Sequence, residues 1–498
     1  MSQSEKFAQF RDWYSGRKEL PQDVTSERRI LLDNLENMGE LVEPETIPRR
    51  LQGEPVVVQS DQMERELGRF RIHSVDRKCI TADMDFIRFY VNELGVEPPS
   101  FVEAGPRREL FHNPANASVA VLTSGGIAPG LNTVVEAIVE RHCDVYASGG
   151  SVLGFFDGLI GLSEDRSRPL YPFGDDGVKG WCRFGGSRLG VGRTKPDLDA
   201  WLTVLRRHRI DILYLIGGNG SLTAAHEIAK AARSRKLNLS VAVIPKTMDN
   251  DVLWVWQSFG FVSAVEKAAE IVNILHTEAE SNRRVCVIQL FGAKSGHVAA
   301  NATLASGEVD AVLIPEEPFE LDKLCDHVVR RVAFNRHAVV VMAEAATAMY
   351  QKQGKWYRWR AETPDQREAN FQRLRDSLTA SLKAQSLGRH AVFGNRPQHT
   401  IRSIAPNSHD QVYCRRLADM AVDGCLGGYT DFMISSWLTE YVLVPLVFSA
   451  RNGLSPEGYK TFPTGGIFWK TVLRCTGQGH LLSDEAKSAL SAGEVVLD

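Results

Sequence analysis

From residue 119 onward, short apolar runs alternate along the chain with longer stretches that have helical spacing. The apolar runs begin near residues 119, 211, 241, 285, 311 and 337. Continuous apolar runs of strand length are typical of strands covered on both faces, as in parallel sheets. The alternation therefore predicts an α/β fold in which parallel-rich sheets are flanked by helices.

Two local signals refine this pattern. In the run that begins at Val241, Pro245 has no N–H to donate to a sheet ladder, so we expect the strand to end there. After the run 211–216, Ser221 is placed to cap the next helix. The apolar face of that helix is predicted to consist of Leu222, Ala225, Ile228, Ala229 and Ala232.

Two regions differ from the alternating pattern. Residues 1–114 are charge-rich and predict a mainly helical N-terminal extension, with helical spacing at Ile30, Leu31, Leu35 and Met38. We expect the extension to pack on the main body or on a neighbouring subunit. The charged and aromatic stretch 346–388 predicts a helical excursion on the surface.

Composition narrows the class of protein. A length of 498 residues suggests two or three domains, and a net charge of -3 gives no sign of a nucleic-acid or membrane partner. The N-terminus is polar, which argues against a secretory signal, and no apolar run is long enough to span a membrane. The eight cysteines are scattered without a CxxC pair, so we expect reduced thiols in a cytoplasmic protein.

Two loops carry candidate chemistry. SGGIAPGLN follows the strand at 119–123 and leads into a helical pattern, an arrangement that offers backbone N–H groups and a helix dipole to a phosphate. Lys246, Thr247, Asp249, Asn250 and Asp251 follow the strand that begins at 241. A lysine and two carboxylates suit phosphoryl transfer, but Asp and Asn are also ordinary turn residues. The residues alone leave both readings open.

Together these loops resemble those of the 6-phosphofructokinase family. PKTMDND (245–251) is similar to the PKTIDND and PGTIDND loops of that family, and GGIAPGLN (125–132) to GGLCPGLN and GGDAPGMN. Further similar segments follow in the same order, and the resemblance covers roughly residues 111–479. The combination of Gly220 and Lys246 resembles the long ATP-dependent branch found in plants and trypanosomatids.

The resemblance implies roles on the phosphoryl-transfer side. Asp249 would be the catalytic base, with Lys246 and Thr247 beside it. ATP would be the donor, bound by Gly125, Gly126, Arg193, Gly218, Gly220 and Ser221. Asn219 stands where the family has an aspartate that helps to hold Mg²⁺, so magnesium affinity is expected to be reduced.

On the sugar side, the resemblance implies that fructose 6-phosphate is bound by Asp251, Arg284, Phe291, Glu344, His399 and Arg402. Ala293 replaces an arginine that in the family helps to stabilise the transferring phosphoryl group. In the family, the counterpart of Arg284 often reaches across a subunit interface. A homodimer or homotetramer is therefore expected.

The implied architecture has two similar lobes after the N-terminal extension. We assign residues 1–114 to the extension, 115–283 to the nucleotide lobe with the catalytic loop, 284–440 to the sugar-phosphate lobe and 441–498 to a segment packing back on the lobes. The implied reaction is phosphorylation of the fructose 6-phosphate 1-hydroxyl by ATP. Alternatives are pyrophosphate as donor, another phosphorylated sugar or nucleoside as acceptor, and a catalytically impaired regulatory homologue.

Overall fold

The computed structural model describes residues 45–46, 78–81, 100–146, 149–175, 177–192, 195–437, 440–450, 458–479 and 481–498. The chain divides into two compact units. The first consists of residues 1–247, 252–260 and 403–459, and the second of residues 248–251, 261–402 and 460–498. The predicted domain limits at 114, 283 and 440 stay predictions.

The described strands, in chain order, are β1 (Glu45–Thr46), β2 (Lys78–Thr81), β3 (Ser100–Glu103), β4 (Val119–Thr123), β5 (Val152–Phe155), β6 (Ser167–Pro169), β7 (Ile212–Gly217), β8 (Ser240–Pro245), β9 (Val285–Leu290), β10 (Ala311–Leu313), β11 (Phe319–Glu320), β12 (Ala338–Ala343), β13 (Ala348–Lys352), β14 (Lys355–Arg358), β15 (Val392–Asn395), β16 (Tyr429–Thr430), β17 (Phe432–Trp437), β18 (Glu440–Pro445) and β19 (Val495–Leu497).

The described α-helices are α1 (Leu131–Glu140), α2 (Leu159–Ser163), α3 (Leu198–Arg207), α4 (Asn219–Ser234), α5 (Phe261–Asn282), α6 (His297–Ser306), α7 (Leu321–Asn335), α8 (Pro364–Ala384), α9 (Gln398–Arg402), α10 (Ser408–Leu426), α11 (Ile467–Thr476) and α12 (Asp484–Ser491). A π-helical turn at Arg141–Val145 continues α1. No helix in the described part of the chain is long and apolar enough to cross a membrane.

The first unit is built on a mixed sheet of nine described strands in the order β2-β3-β18-β17-β8-β7-β4-β5-β6. Its central strands, β17, β8, β7, β4 and β5, run parallel. Every residue of β4, β7 and β8 is buried, because helices and loops cover both faces of the sheet. This confirms the prediction from the continuous apolar runs.

The second unit contains two described four-stranded sheets. The strands β10-β12-β9-β15 form a fully parallel sheet, and β11-β13-β14-β19 form a mixed one. The strands predicted near 285, 311 and 337 are therefore present, and both units have the predicted α/β character.

The prediction for residues 346–388 was wrong in part. Residues 348–358 form the antiparallel hairpin β13–β14 rather than helix. Only Pro364–Ala384 is helical, and this helix buries a face made of Phe371, Leu374, Leu378 and Leu382. Charged residues dominate the composition of the stretch, so the composition did not indicate the apolar face at helical spacing.

The capping role predicted for Ser221 was also wrong. Helix α4 begins at Asn219 with Gly218 in extended conformation as its N-cap, so the helix opens two residues earlier than Ser221. Ser221 lies in the first turn and is buried. Pro245 does end β8, as its missing N–H requires.

The helix predicted around Ile30, Leu31, Leu35 and Met38 lies outside the described residues. The described parts of the N-terminal extension include short strands. Residues 100–103 form β3, which pairs with β18 inside the large sheet. This part of the predicted extension therefore belongs to the sheet of the first unit.

Phe101 of β3 is buried completely and makes edge contacts with three other aromatic rings. Its ring centroid lies 5.5 Å from that of Trp254, 6.2 Å from that of Phe448 and 6.4 Å from that of Trp437. Edge-to-face pairs of this kind stabilise a core beyond simple area burial. They join the edge strands to the loop that follows the candidate catalytic segment.

Replacement of Phe101 by Ala should lower the free energy of unfolding by about 3–5 kcal/mol, because it removes a buried ring and leaves a cavity. Urea unfolding followed by tryptophan fluorescence measures the change. Phe334→Ala is the control, since the Phe334 side chain is 87% exposed. Equal midpoints for the two variants would show that β3 is not part of the stable core.

Candidate active site

The loop between β4 and α1, here called the phosphate loop after its predicted role, contains two glycines with positive φ. Gly125 has φ +85°, a left-handed conformation that favours glycine, and its N–H donates to the carbonyl of Gly192 at 3.3 Å. Gly130, at φ +102°, is the N-cap of α1, and an added Cβ there would lie 2.6 Å from the Cys414 sulfur. Glycine is thus required at both ends of the loop. Because α1 begins directly after Gly130, the positive end of the helix borders the loop.

Lys246 lies against this loop. It follows β8, its side chain is buried, and its N–H donates to the carbonyl of Gly217 at 2.9 Å. A Cβ added to Gly125 would lie 3.5 Å from the Lys246 ammonium nitrogen. The ammonium group is therefore next to the phosphate loop, where a positive charge would complement an anionic ligand.

The start of α4 belongs to the same edge of the sheet. Gly218 is close to the Lys246 backbone, since an added Cβ would lie 3.1 Å from its carbonyl oxygen. Gly220 is exposed, and an added Cβ would meet no atom within 4 Å. Asn219 is the first helical residue, half-buried, and Ser221 is two residues further along. The predicted nucleotide residues thus lie on the loop that follows β4 and at the start of α4, directly after β7: Gly125, Gly126, Gly218, Gly220 and Ser221.

The segment 187–192 packs on the phosphate loop. The Thr123 hydroxyl lies 2.8 Å from the Ser187 hydroxyl and also donates to the carbonyl of Gly190. The guanidinium of Arg188 stacks over the exposed ring of Phe184 at 4.5 Å. Arg193, predicted to bind nucleotide phosphates, lies outside the described residues.

The predicted catalytic loop follows Lys246 directly. The carbonyl of Thr247 accepts a hydrogen bond from the Ser258 hydroxyl at 2.7 Å. Asn250 has φ +52°, a left-handed turn conformation in which Asn is tolerated. Asp249 is half-buried while Asp251 is buried, so the side chain of Asp249 is the more accessible carboxylate.

In the second unit, Phe291 and Glu344 follow the neighbouring parallel strands β9 and β12. Glu344 is 3.8 Å from the Arg367 guanidinium and accepts a hydrogen bond from Gln398 at 3.4 Å. The Arg402 guanidinium stacks over the Phe291 ring at 5.0 Å. Ring stacking and a glutamate contact thus tie α9, the short helix that carries Arg402, to this edge of the sheet.

His399 and Arg402 are both on α9, but their surroundings differ. His399 is exposed, whereas Arg402 is half-buried. The Nε atom of Arg402 is buried and has no hydrogen-bond partner in the described part of the chain. A buried guanidinium N–H of this kind is costly to leave unpaired, which suits a residue that waits for an anionic ligand.

Arg284 is not brought to the edge that holds Phe291 and Glu344. It precedes β9 while Phe291 follows it, and a strand of six residues spans about 20 Å. Arg284 is exposed and forms an ion pair with Glu278 at 3.1 Å. Within one chain it lies at the opposite end of the strand from the other predicted sugar ligands.

Sequence analysis missed Glu316. Its carboxylate accepts hydrogen bonds from the N–H groups of Gly296 at 3.0 Å and Phe462 at 2.7 Å, and burial raises its pKa. Two residues before Phe462, the N–H of Lys460 donates to the carbonyl of Asp251 at 2.7 Å. Glu316 therefore ties the loop after β9 to the segment that holds Asp251. Its signal in the sequence is a carboxylate just past the end of β10.

The donor set suits a magnesium ion that arrives with its ligand. In the described part of the chain, no three side chains of His, Cys, Asp or Glu form a ready metal site. Mg²⁺ binds through one or two protein oxygens together with water and substrate phosphates. The oxygen-bearing side chain of Asn219, the first residue of α4, fits that kind of shared coordination.

The match to a known protein family agrees with the family that these loops indicate. The family profile described as Phosphofructokinase matches residues 118–425, which is more than half of the chain. The chain belongs to the phosphofructokinase family. The prediction made from the PKTMDND and GGIAPGLN loops is confirmed.

Named relatives of this phosphofructokinase cover most of its length. It is 35% identical to an ATP-dependent 6-phosphofructokinase of Amycolatopsis methanolica over 399 residues, which are 77% of this chain and 83% of the relative. It is 32% identical to the ATP-dependent 6-phosphofructokinase of Trypanosoma cruzi over 367 residues, 71% of this chain and 74% of the relative.

Solved structures show the same fold. A pyrophosphate-dependent phosphofructokinase from Marinobacter aquaeolei aligns with a TM-score of 0.60 at 21% identity, covering 76% of this chain and 92% of that one. One from Nitrosospira multiformis aligns with a TM-score of 0.61 at 17% identity, covering 77% and 93%. The predicted phosphofructokinase-like α/β fold is confirmed.

Gly125→Ala should weaken the affinity of this phosphofructokinase for nucleotide about tenfold. A left-handed L-residue costs about 1–2 kcal/mol, so the loop would leave the conformation that holds the ligand. Calorimetric titration with ATP measures the loss. Gly307→Ala is the matched control, because Gly307 has φ +73° but no atom within 4 Å of an added Cβ. Equal ATP affinities in the two variants would contradict a phosphate loop at Gly125.

Proposed function

We propose that the protein transfers the γ-phosphate of ATP to the 1-hydroxyl of fructose 6-phosphate and gives fructose 1,6-bisphosphate. The observation that carries this proposal is the buried Lys246 ammonium beside the Gly125 loop, directly before the Asp249 loop. The relatives named ATP-dependent 6-phosphofructokinase, at 30–35% identity over most of the chain, support the same reaction. The protein is accordingly a phosphotransferase that acts on an alcohol group.

The nucleotide phosphates would be bound mainly by backbone groups. The amide of Gly126 and the positive end of α1 would hold one part of the triphosphate, while Gly125, whose N–H donates to the carbonyl of Gly192, would shape the loop around it. The start of α4, with Gly218, Gly220 and Ser221, would hold another, and Gly220 leaves open space there. The Lys246 ammonium would neutralise charge as it moves from the γ-phosphate to the leaving ADP. Arg193 is proposed to add a guanidinium contact.

Asp249 would act as the general base. As the oxygen of the 1-hydroxyl forms its bond to the γ-phosphorus, the bond from that phosphorus to the β-bridging oxygen breaks and ADP leaves. The hydroxyl proton passes to the Asp249 carboxylate, whose half-buried position keeps it accessible. The Ser258 hydrogen bond to Thr247 supports the loop, and Asp251 would bind a sugar hydroxyl.

The sugar phosphate would be held at the carboxyl edge of the second sheet. Glu344 would accept hydrogen bonds from sugar hydroxyls, and His399 and Arg402 would bind the 6-phosphate. The Phe291 ring, 5.0 Å from the Arg402 guanidinium, would help to keep this group in place for a forked contact with phosphate oxygens.

Arg284 supports an oligomeric enzyme. Because it lies at the other end of β9, its proposed role in binding the 6-phosphate requires a second copy of the chain. A homodimer or homotetramer is therefore part of the proposal. The cysteines in the described part of the chain that have an assigned state are free thiols, which supports a reducing compartment such as the cytoplasm.

If Mg²⁺ accompanies ATP, the Asn219 amide oxygen would be the protein group that helps to hold it. When bound, it supplies positive charge to the phosphate oxygens. Asn219 brings no charge of its own, so the Lys246 ammonium would carry more of the neutralisation than it would beside a carboxylate.

Asp249→Asn should lower kcat about 10²- to 10⁴-fold with ATP and fructose 6-phosphate, because the amide cannot accept the proton. A coupled assay measures turnover, run in parallel with ATP and with pyrophosphate. Asp484→Asn is the control, since the Asp484 side chain is fully exposed. Turnover of the wild-type protein with pyrophosphate alone would overturn the assignment of the donor. An Asp249→Asn variant that keeps full activity would overturn the assignment of the base.

Asn219→Asp should lower the magnesium concentration that gives half-maximal activity by about tenfold, because a carboxylate adds a charged oxygen ligand. The measurement is a titration of Mg²⁺ at fixed ATP in the coupled assay. Asn282→Asp, an exposed position at the end of α5, controls for a general change in charge. An unchanged magnesium requirement would place the metal away from the start of α4.

A further inference from the structure

Two buried polar side chains on α1 face the same way. Asn132 and Glu136 are one helical turn apart, and each is only 2% exposed. α1 follows the phosphate loop without a break. Buried amide and carboxylate groups must be hydrogen-bonded to be tolerated, so their partners identify what they hold.

Glu136 holds the backbone at the start of a neighbouring segment. One carboxylate oxygen accepts the N–H of Gly180 at 3.1 Å, and the other accepts the N–H of Cys182 at 2.7 Å. The guanidinium of Arg415 lies 3.3 Å from the same carboxylate and balances its charge. Both oxygens of Glu136 are thus used to fix residues 180–182.

Asn132 holds the next part of that segment. Its amide nitrogen donates to the carbonyls of Phe184 at 3.0 Å and Gly185 at 3.3 Å. Its amide oxygen accepts the N–H of Arg188 at 2.8 Å. One side chain therefore closes the turn from residue 184 to residue 188.

The far end of the same segment returns to the phosphate loop. Ser187 and Gly190 bond with the Thr123 hydroxyl, and the carbonyl of Gly192 accepts the Gly125 N–H at 3.3 Å. Residues 180–192, here called the clamped segment, are thus fixed to α1 at one end and to the loop before α1 at the other. Through these hydrogen bonds the clamped segment connects α1 with the loop that precedes it.

We propose that Asn132 and Glu136 are positioning residues that set the shape of the nucleotide site by holding the clamped segment against the phosphate loop. The inference rests on the proposed function, because it takes the Gly125 loop to be the ATP site. Neither side chain needs to contact ATP. Their effect is transmitted through the backbone of the clamped segment to Gly192 and Gly125.

The chain provides a matched pair of variants. Glu140 lies one turn beyond Glu136 on α1 and shares Arg415, at 2.5 Å. In the described part of the chain, Glu140 has no hydrogen bond to the clamped segment. Glu136→Gln keeps one acceptor oxygen but removes the other, whereas Glu140→Gln removes the same charge without changing the clamp.

Glu136→Gln should weaken ATP binding about tenfold, as expected when one charge-assisted hydrogen bond is lost, and should leave the KM for fructose 6-phosphate within about twofold. Calorimetry with ATP and steady-state kinetics give these values. Hydrogen exchange should be faster in peptides covering residues 180–192. Glu140→Gln should match the wild type in both respects. Asn132→Asp, which sets a carboxylate oxygen against two carbonyls, should repeat the loss of ATP affinity.

The outcomes separate the inference from the proposed function. A wild-type protein that does not bind ATP would refute the proposed function itself. A wild-type protein that binds ATP, together with Glu136→Gln and Asn132→Asp variants that bind it equally well, would overturn the positioning role. The Asn132→Asp variant keeps the test available if Glu136→Gln does not fold. An equal increase in the KM for ATP and in the KM for fructose 6-phosphate would show a general structural role and would also overturn the inference.

Discussion

The parallel register of three central strands determines where the chemistry of the first unit lies. Thr123 of β4 pairs with Ile216 of β7, and Gly217 of β7 pairs with Pro245 of β8. Since parallel strands end at one edge, the backbone hydrogen bonds bring the loops after 123, 217 and 245 together. The phosphate loop, the start of α4 and Lys246 are neighbours for this reason, although they are far apart in sequence.

The buried Lys246 ammonium gives this edge of the sheet a positive charge. It lies beside a loop whose glycines allow a ligand to approach closely. The helix dipole of α1 adds positive potential at the same place. Under the proposed function, the lysine and the loop backbone would supply charge complementarity that the uncharged amide of Asn219 does not bring.

In both units, buried carboxylates hold loops in place through hydrogen bonds to the backbone. Glu316 joins the loop after β9 to the segment that holds Asp251, and Glu136 joins α1 to the clamped segment. Each carboxylate accepts two backbone N–H groups and so connects a loop to a side chain from another element.

The sequence by itself determined the buried strands, which its continuous apolar runs predicted. The spacing of Lys246, Asp249 and Asp251 left a turn and a phosphoryl-transfer loop equally open, and the similarity of PKTMDND to the family loops indicated the second. Only the tertiary structure decided which side chains are in contact, because contacts such as Arg402 with Phe291, or Asn132 with residues 184–188, join residues that are distant in sequence. The tertiary structure also placed Arg284 before β9, at the opposite end of this strand from Phe291. It showed that residues 348–358 form a hairpin, which the charged residues of this stretch did not indicate.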